Sequence, residues 1–153
     1  MISKELLGLA GEFAVCSELA RRGIYPLLTY GNRKRIDILT ESTPPIRISV
    51  KSKQGKKWPF QKGIVGDEIL VYVDFYHKDQ GERPDFYVLR ADDWLDVARE
   101  RIKHIDPAKD TAELRDGYTP VYYRVSGKVI VGTHIGIDDI QDYRERWDKL
   151  EAE

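Results

Sequence analysis

Asp37, Lys51 and Glu12 stand where three ionisable side chains could share one task. Asp37 interrupts an otherwise apolar run, Ile36-Asp37-Ile38-Leu39, where an acid is out of place as surface decoration. Lys51 ends the run Ile46-Arg47-Ile48-Ser49-Val50-Lys51. Its period-two alternation turns Ile46, Ile48 and Val50 to one side and Arg47, Ser49 and Lys51 to the other. Asp37, on the neighbouring strand, then lies about one strand spacing from Lys51 and Ser49, and Glu12 can approach from the first helix. Paired carboxylates bind a hard cation such as Mg²⁺ or Mn²⁺, which keeps several of its waters. The cation activates one water and neutralises charge on a phosphate, while the lysine orients the nucleophile or stabilises the pentavalent state. The grouping suits phosphodiester hydrolysis.

The charge distribution points to the same polyanion. Residues 31–62 carry nine basic side chains against two acidic ones, a local net of +7, while residues 63–153 carry thirteen against twenty-one, a net of −8. The overall charge of −1 hides this asymmetry. Arg33, Lys34, Arg35, Lys53, Lys56 and Lys57 bracket the candidate site and are the expected nucleic-acid-binding residues. Trp58 and Phe60 follow them and could stack on bases, or could equally be core or loop anchors. A solvated basic face without a ligand is the plainer alternative for the run. Glu12 could likewise simply pair with Arg35, Lys51 could be a solvated strand-face lysine, and Ser49 could be only a small polar residue.

The elements that position these residues follow from periodicity. Residues 3–22 form an amphipathic helix, with Leu6, Leu9, Phe13, Cys16 and Ala20 as its expected core stripe, Ser3 as N-cap and Gly23 as terminator. Glu12 falls on the shoulder of that stripe. Leu7 and Ala14 lie on the far side, which leaves room for cover on more than one face. Short strands are expected at Tyr25–Thr29, Ile36–Thr40 and Ile46–Lys51, with Pro44 and Pro45 in the last turn. Strands at Ile69–Tyr76 and Phe86–Leu89 and a helix over Ala91–His104 follow. Residues 105–118 read as a surface loop. Val121–Val125 and Lys128–Val131 straddle Ser126-Gly127 as a hairpin, and Asp138–Leu150 reads as a final helix bearing Ile140, Tyr143, Trp147 and Leu150 on one side. The expected fold is α/β, a mixed sheet flanked by helices with a C-terminal β-hairpin and helix.

A length of 153 residues fits one domain, expected as a core over about 3–104 and an extension over about 105–153, and 41% hydrophobic content suffices for a core. No apolar run suits a membrane span and the N-terminus has no secretory layout, so a cytoplasmic protein without a membrane partner is expected. One cysteine, Cys16, excludes a disulfide framework, and His77, His104 and His134 show no paired ligand spacing.

The block from Gly8 to Lys57 resembles the core of the PD-(D/E)XK nuclease-like, or restriction-endonuclease-like, superfamily. Gly11-Glu12-Phe13 through Leu19-Ala20-Arg21-Arg22-Gly23 is similar to the opening helix of archaeal Holliday-junction resolvases. Ile36-Asp37-Ile38-Leu39 resembles the strand of the first motif acid, and Ile48-Ser49-Val50-Lys51-Ser52-Lys53 the strand of the (D/E)XK half. Tyr72-Val73-Asp74-Phe75, Pro84 through Leu89, and Tyr143 through Trp147 look like an uncharacterised bacterial branch of that superfamily. The resemblance implies an αβββαβ-type core, a magnesium- or manganese-dependent endonuclease acting on DNA, and, since proteins of this fold are often dimers, a possible homodimer. It makes Asp37 the metal-binding acid, Lys51 the catalytic lysine and Glu12 an auxiliary metal ligand. Ser49 departs from the pattern, which has Glu, Asp or Gln there. Some restriction enzymes of this fold have Ser-X-Lys and bring the acid from further along, a place that Asp67 or Glu68 could fill. The alternatives are a catalytically degenerate module of the same fold that binds nucleic acid or a protein partner, and an interaction protein that never touches nucleic acid.

Overall fold

The alternation of the third strand decides how the layers stack. The computed structural model describes residues 1–29 and 36–151. Its main sheet comprises β1 (Pro26–Leu28), β2 (Ile38–Thr40), β3 (Arg47–Lys53), β5 (Ile69–Asp74) and β6 (Asp85–Arg90), while the intervening β4 (Trp58–Gln61) leaves that sheet. The spatial order is β1-β2-β3-β5-β6, with β3 and β5 parallel and the other neighbours antiparallel, so the sheet is mixed. Register pairs Ile48 with Ile69 and Val50 with Val71, and these residues share a core with Val15 and Leu19 of α1 (Lys4–Arg21). The alternate residues Leu70, Tyr72, Tyr87 and Leu89 pack on the opposite face against Trp58 and against Trp94 of α2 (Ala91–Lys103). Every residue of β5 is buried, as covering both faces of a central strand requires.

The first helix begins where its cap predicts: Leu6 N–H donates to Ser3 Oγ at 3.2 Å. Its buried face differs from the expected one. Leu7, Gly11, Val15 and Leu19, a row spaced by four, lie against the sheet, whereas Leu6, Leu9 and Phe13 are 55%, 43% and 54% exposed. The reason is Gly11. A Cβ there would sit 1.8 Å from Ser52 Oγ and 3.2 Å from Ser52 Cβ, so only a glycine lets the helix come this close to β3. The more apolar stripe loses to the one that permits close approach.

The C-terminal third is richer in strands and poorer in helix than expected. Residues 105–118 contain β7 (Asp110–Arg115), which pairs with β8 (Thr119–Arg124); β9 (Val129–Val131) completes a three-stranded antiparallel sheet. β7 is half-buried at Asp110, Ala112 and Leu114 and exposed between them, a pattern too polar to signal a strand in isolation. β10 (Thr133–Ile135) pairs with β4. The expected helix over Asp138–Leu150 is instead α3 (Ile137–Ile140) followed by 3₁₀ turns at Gln141–Tyr143 and Trp147–Leu150. Between the turns, Glu145 adopts φ 54° and its N–H donates to Phe86 O at 2.9 Å, while Arg144 bridges to Tyr87. Contact with the edge of β6 wins over helix continuation, and Ile140, Trp147 and Leu150 stay buried as the spacing foresaw. Among the described residues no helix is long and apolar enough to cross a membrane.

Ser52 Oγ is buried and has no hydrogen-bond partner among the described residues. Replacing Gly11→Ala is therefore expected to cost about 1–3 kcal/mol through overpacking. Adding Ser52→Ala should recover much of that loss, because it removes the atom nearest the new methyl group. Chemical denaturation of the two single variants and the double variant checks this; strict additivity would show that the helix approach is set elsewhere.

Candidate active site

The ladder between β2 and β3 runs in register only through Leu39–Arg47 and Ile38–Ile48. One residue earlier it slips. Asp37 N–H donates to Ile48 O at 2.9 Å, although Ile48 is already the partner of Ile38. The next strand amide, Val50 N–H, donates to Asp37 Oδ2 at 2.7 Å instead of to a backbone carbonyl. A carboxylate thus takes the place of a peptide group in the seam where the two strands part. Thr29 N–H donates to Asp37 O at 3.0 Å and the Thr29 hydroxyl donates to Ile36 O, tying this segment to the end of β1.

Three sequence-expected residues lie within electrostatic range of one another around this seam. Burial raises the Asp37 carboxyl above the ordinary carboxylate range, with the Val50 amide and the Lys51 charge pulling it back. The Glu12 carboxyl is also raised, first by burial and then by the Asp37 charge, against the opposing pull of Lys51. Glu12, Asp37 and Lys51 are therefore close enough to feel one another, although α1 covers one sheet face and Lys51 points to the other. Two carboxyls that resist ionising beside a single lysine form a site short of positive charge. Cys16, one turn along from Glu12, has its thiol raised by burial and by Glu12, which argues against a nucleophilic role.

Lys51 is exposed and, together with Ser49, lines a cavity of about 600 Å³ on the α2 face. Gln61, Lys62 and Phe60 lie on its other side, and neither Asp37 nor Glu12 is among its lining residues. Ser49 is buried at the cavity wall. Neither proposed replacement acid joins Glu12 and Asp37. Asp67 is exposed and pairs with Arg47 at 2.7 Å, and Glu68 is buried and accepts from Val65 N–H at 3.4 Å. Parallel register sets Lys51 beside Tyr72, four residues beyond Glu68, or about 13 Å along the strand. Among the described residues no group of three or more His, Cys, Asp or Glu side chains converges to hold a metal. Glu12 and Asp37 nonetheless fit Mg²⁺, which commonly takes one or two carboxylates and fills its shell with waters and substrate phosphate oxygens.

The basic run divides. Arg33, Lys34 and Arg35 lie outside the described residues. Lys56 and Lys57 are exposed in the turn between β3 and β4. Lys53, expected on the same nucleic-acid face, is buried: its Nζ lies 2.7 Å from Asp74 Oδ1 and 3.0 Å from Gly55 O, over the rings of Trp58 and Tyr76. Register pairs Lys53 with Asp74 across β3 and β5, so the ion pair ties strand ends together and leaves no charge for a phosphate. Trp58 is likewise core, its Nε1–H donating to Lys51 O at 3.1 Å, and of the two aromatics only Phe60 is exposed.

Because Asp37 ionises against its burial, the stability it contributes is complete below the usual carboxylate pKa and is lost as pH rises through its raised value. Asp37→Asn keeps an acceptor for Val50 N–H and removes the buried charge. It is expected to raise the melting temperature at about pH 7. The gain should shrink toward acid pH, as the carboxyl becomes protonated in wild type as well. Thermal denaturation at neutral and acid pH checks this, and a variant less stable than wild type at neutral pH would contradict the electrostatic description. No family model matches the chain, and neither a curated protein nor a solved structure matches it.

Proposed function

We propose that the protein is a metal-dependent endonuclease that hydrolyses phosphodiester bonds in DNA, built on a restriction-endonuclease-like core. The observation that carries this reading is the hydrogen bond that holds the Asp37 carboxylate in the seam where β2 and β3 part, within electrostatic range of Glu12 and Lys51. Carboxyls that are costly to ionise gain most from a cation, and Glu12 and Asp37 would hold Mg²⁺ or Mn²⁺ between them. When bound, the ion would supply a water of lowered pKa and neutralise charge on the phosphate. Lys51, exposed, lining the cavity and within electrostatic range of this pair, would hold a phosphate oxygen and stabilise the charge that builds there. Lys62 on the opposite wall and Lys56 and Lys57 in the nearby turn offer the duplex or strand further phosphate contacts.

A second reading is favoured by one observation: among the described residues no third acid joins Glu12 and Asp37, and Ser49 stands in the position the resemblance gives to one. On that reading the same surface binds DNA without cutting it.

Asp37→Ala and Lys51→Ala are each expected to abolish Mn²⁺- or Mg²⁺-dependent nicking of plasmid DNA while circular dichroism stays that of wild type. Nicking by both variants at the wild-type rate would refute the site, and wild type that binds DNA but never cuts it with either ion would establish the second reading. Removing Lys56 and Lys57 together should weaken DNA binding regardless of sequence and flatten the slope of log K against log salt by roughly 1–2 units. An unchanged slope would remove these lysines from the interface.

A further inference from the structure

Phe60 is an exposed aromatic held in an unusual place. The β4–β10 register pairs Trp58 with Ile135 but Gln61 with Thr133, so Pro59 and Phe60 together face His134, and β4 bulges. Phe60 takes φ 50°, a left-handed conformation for a bulky residue. Its surroundings fix that conformation. The Phe60 N–H donates to His134 Nδ1 at 3.2 Å, the His134 ring meets the Phe60 ring edge-on at 4.8 Å and 69°, and Gly132 lies so close that a Cβ there would come within 2.6 Å of Phe60 C and O. Bulges re-aim side chains, and this one turns a phenyl ring outward, 55% exposed, when the core could have used it.

The ring also stands between two cavities. On one side is the cavity of about 600 Å³ that holds Lys51 and Lys62; on the other is one of about 720 Å³ lined by Arg101, Arg124 and Lys128 together with Asp106 and Asp110. Arg124 lies 4.0 Å from Asp110, and Arg101 lies 3.7 Å from Asp139, so Lys128 is the cation on that side for which the described residues show no ion pair. A rigid aromatic face flanked by lysines on both sides is the arrangement that accepts a base with a phosphate to either side.

Resting on the nuclease reading above, we propose that Phe60 is a stacking platform for an unpaired base, and that the protein therefore prefers single-stranded or locally unpaired DNA to continuous duplex. A base within a duplex already has both faces covered by its neighbours and offers none to the ring. An unpaired base can leave the strand, cover Phe60 and place its phosphate in the Lys51 cavity. Because the bulge already fixes the ring, little side-chain freedom is lost on binding.

The test measures anisotropy of a labelled oligothymidylate and of a labelled duplex on the full chain across a salt series, with divalent metal chelated so that no strand is cut. Wild type is expected to bind the single strand more tightly than the duplex. Phe60→Leu should weaken single-strand binding about tenfold and leave duplex binding within about twofold, while Phe60→Trp should match or exceed wild type. The slope of log K against log salt should be unchanged in Phe60→Leu, because a stacking contact releases no counterions. Single-strand affinity retained in Phe60→Leu, or a slope altered by that substitution, overturns the inference and leaves the nuclease reading standing. Wild type without salt-dependent binding to either DNA overturns both.

Discussion

The hydrogen bond from Val50 N–H to Asp37 Oδ2 is the contact from which the site grows. A strand amide at the edge of a splaying ladder needs an acceptor, and leaving it unsatisfied costs roughly 1–3 kcal/mol. Here a side chain meets that need, which holds one carboxylate in the seam between two strands and in partial shelter from water. The bond also explains why Asp37 can be near Lys51 and Glu12 together. A side chain standing squarely on either face would sense mainly one of them, whereas one lying in the seam between two strands is within electrostatic range of both.

Gly11 supplies the matching constraint from above. Close approach of α1 to Ser52 and Val50 brings Glu12, the next residue, down to the level of the seam. The same contact turns Leu6, Leu9 and Phe13 outward. Elsewhere α1 is tied by charge: Glu18 is buried beneath Arg83, which also pairs with Glu145, and the Arg22 guanidinium lies over the Trp147 ring. The helix that carries Glu12 is thus fixed to the C-terminal segment as well as to the sheet, and its orientation does not depend on the seam alone.

The second face of the sheet has a different logic. β4 departs from β3, buries Trp58 over Lys53 and Tyr72, pairs with β10, and lends Pro59, Phe60 and Gln61 to the wall of the cavity beside Lys51. The buried Lys53–Asp74 pair holds the ends of β3 and β5 together beneath that wall. Two lysines two residues apart on one strand therefore have opposite fates, and Lys51 faces solvent because the wall opens there.

Strict alternation in Ile46–Lys51, the acid inside Ile36–Leu39 and the Ser3 cap are local signals, and local physics was enough to read β3, β2 and the span of α1 from them. The same residues nominated Asp37, Lys51 and Glu12, because charge set in apolar periodicity is visible without coordinates. Which stripe of α1 is buried was not legible, since hydrophobicity favoured Leu6, Leu9 and Phe13 and only the distance to Ser52 reveals the need for a glycine. Lys53 could not be told from Lys56 in a basic run, because its partner Asp74 lies twenty-one residues away and meets it only through parallel pairing. The polar strand β7 and the broken final helix were hidden for the same reason, each being stabilised by a neighbour distant in sequence. Periodicity along the chain settled what each segment could become. Contacts across the chain settled which of its faces, and which of its charges, ended up inside.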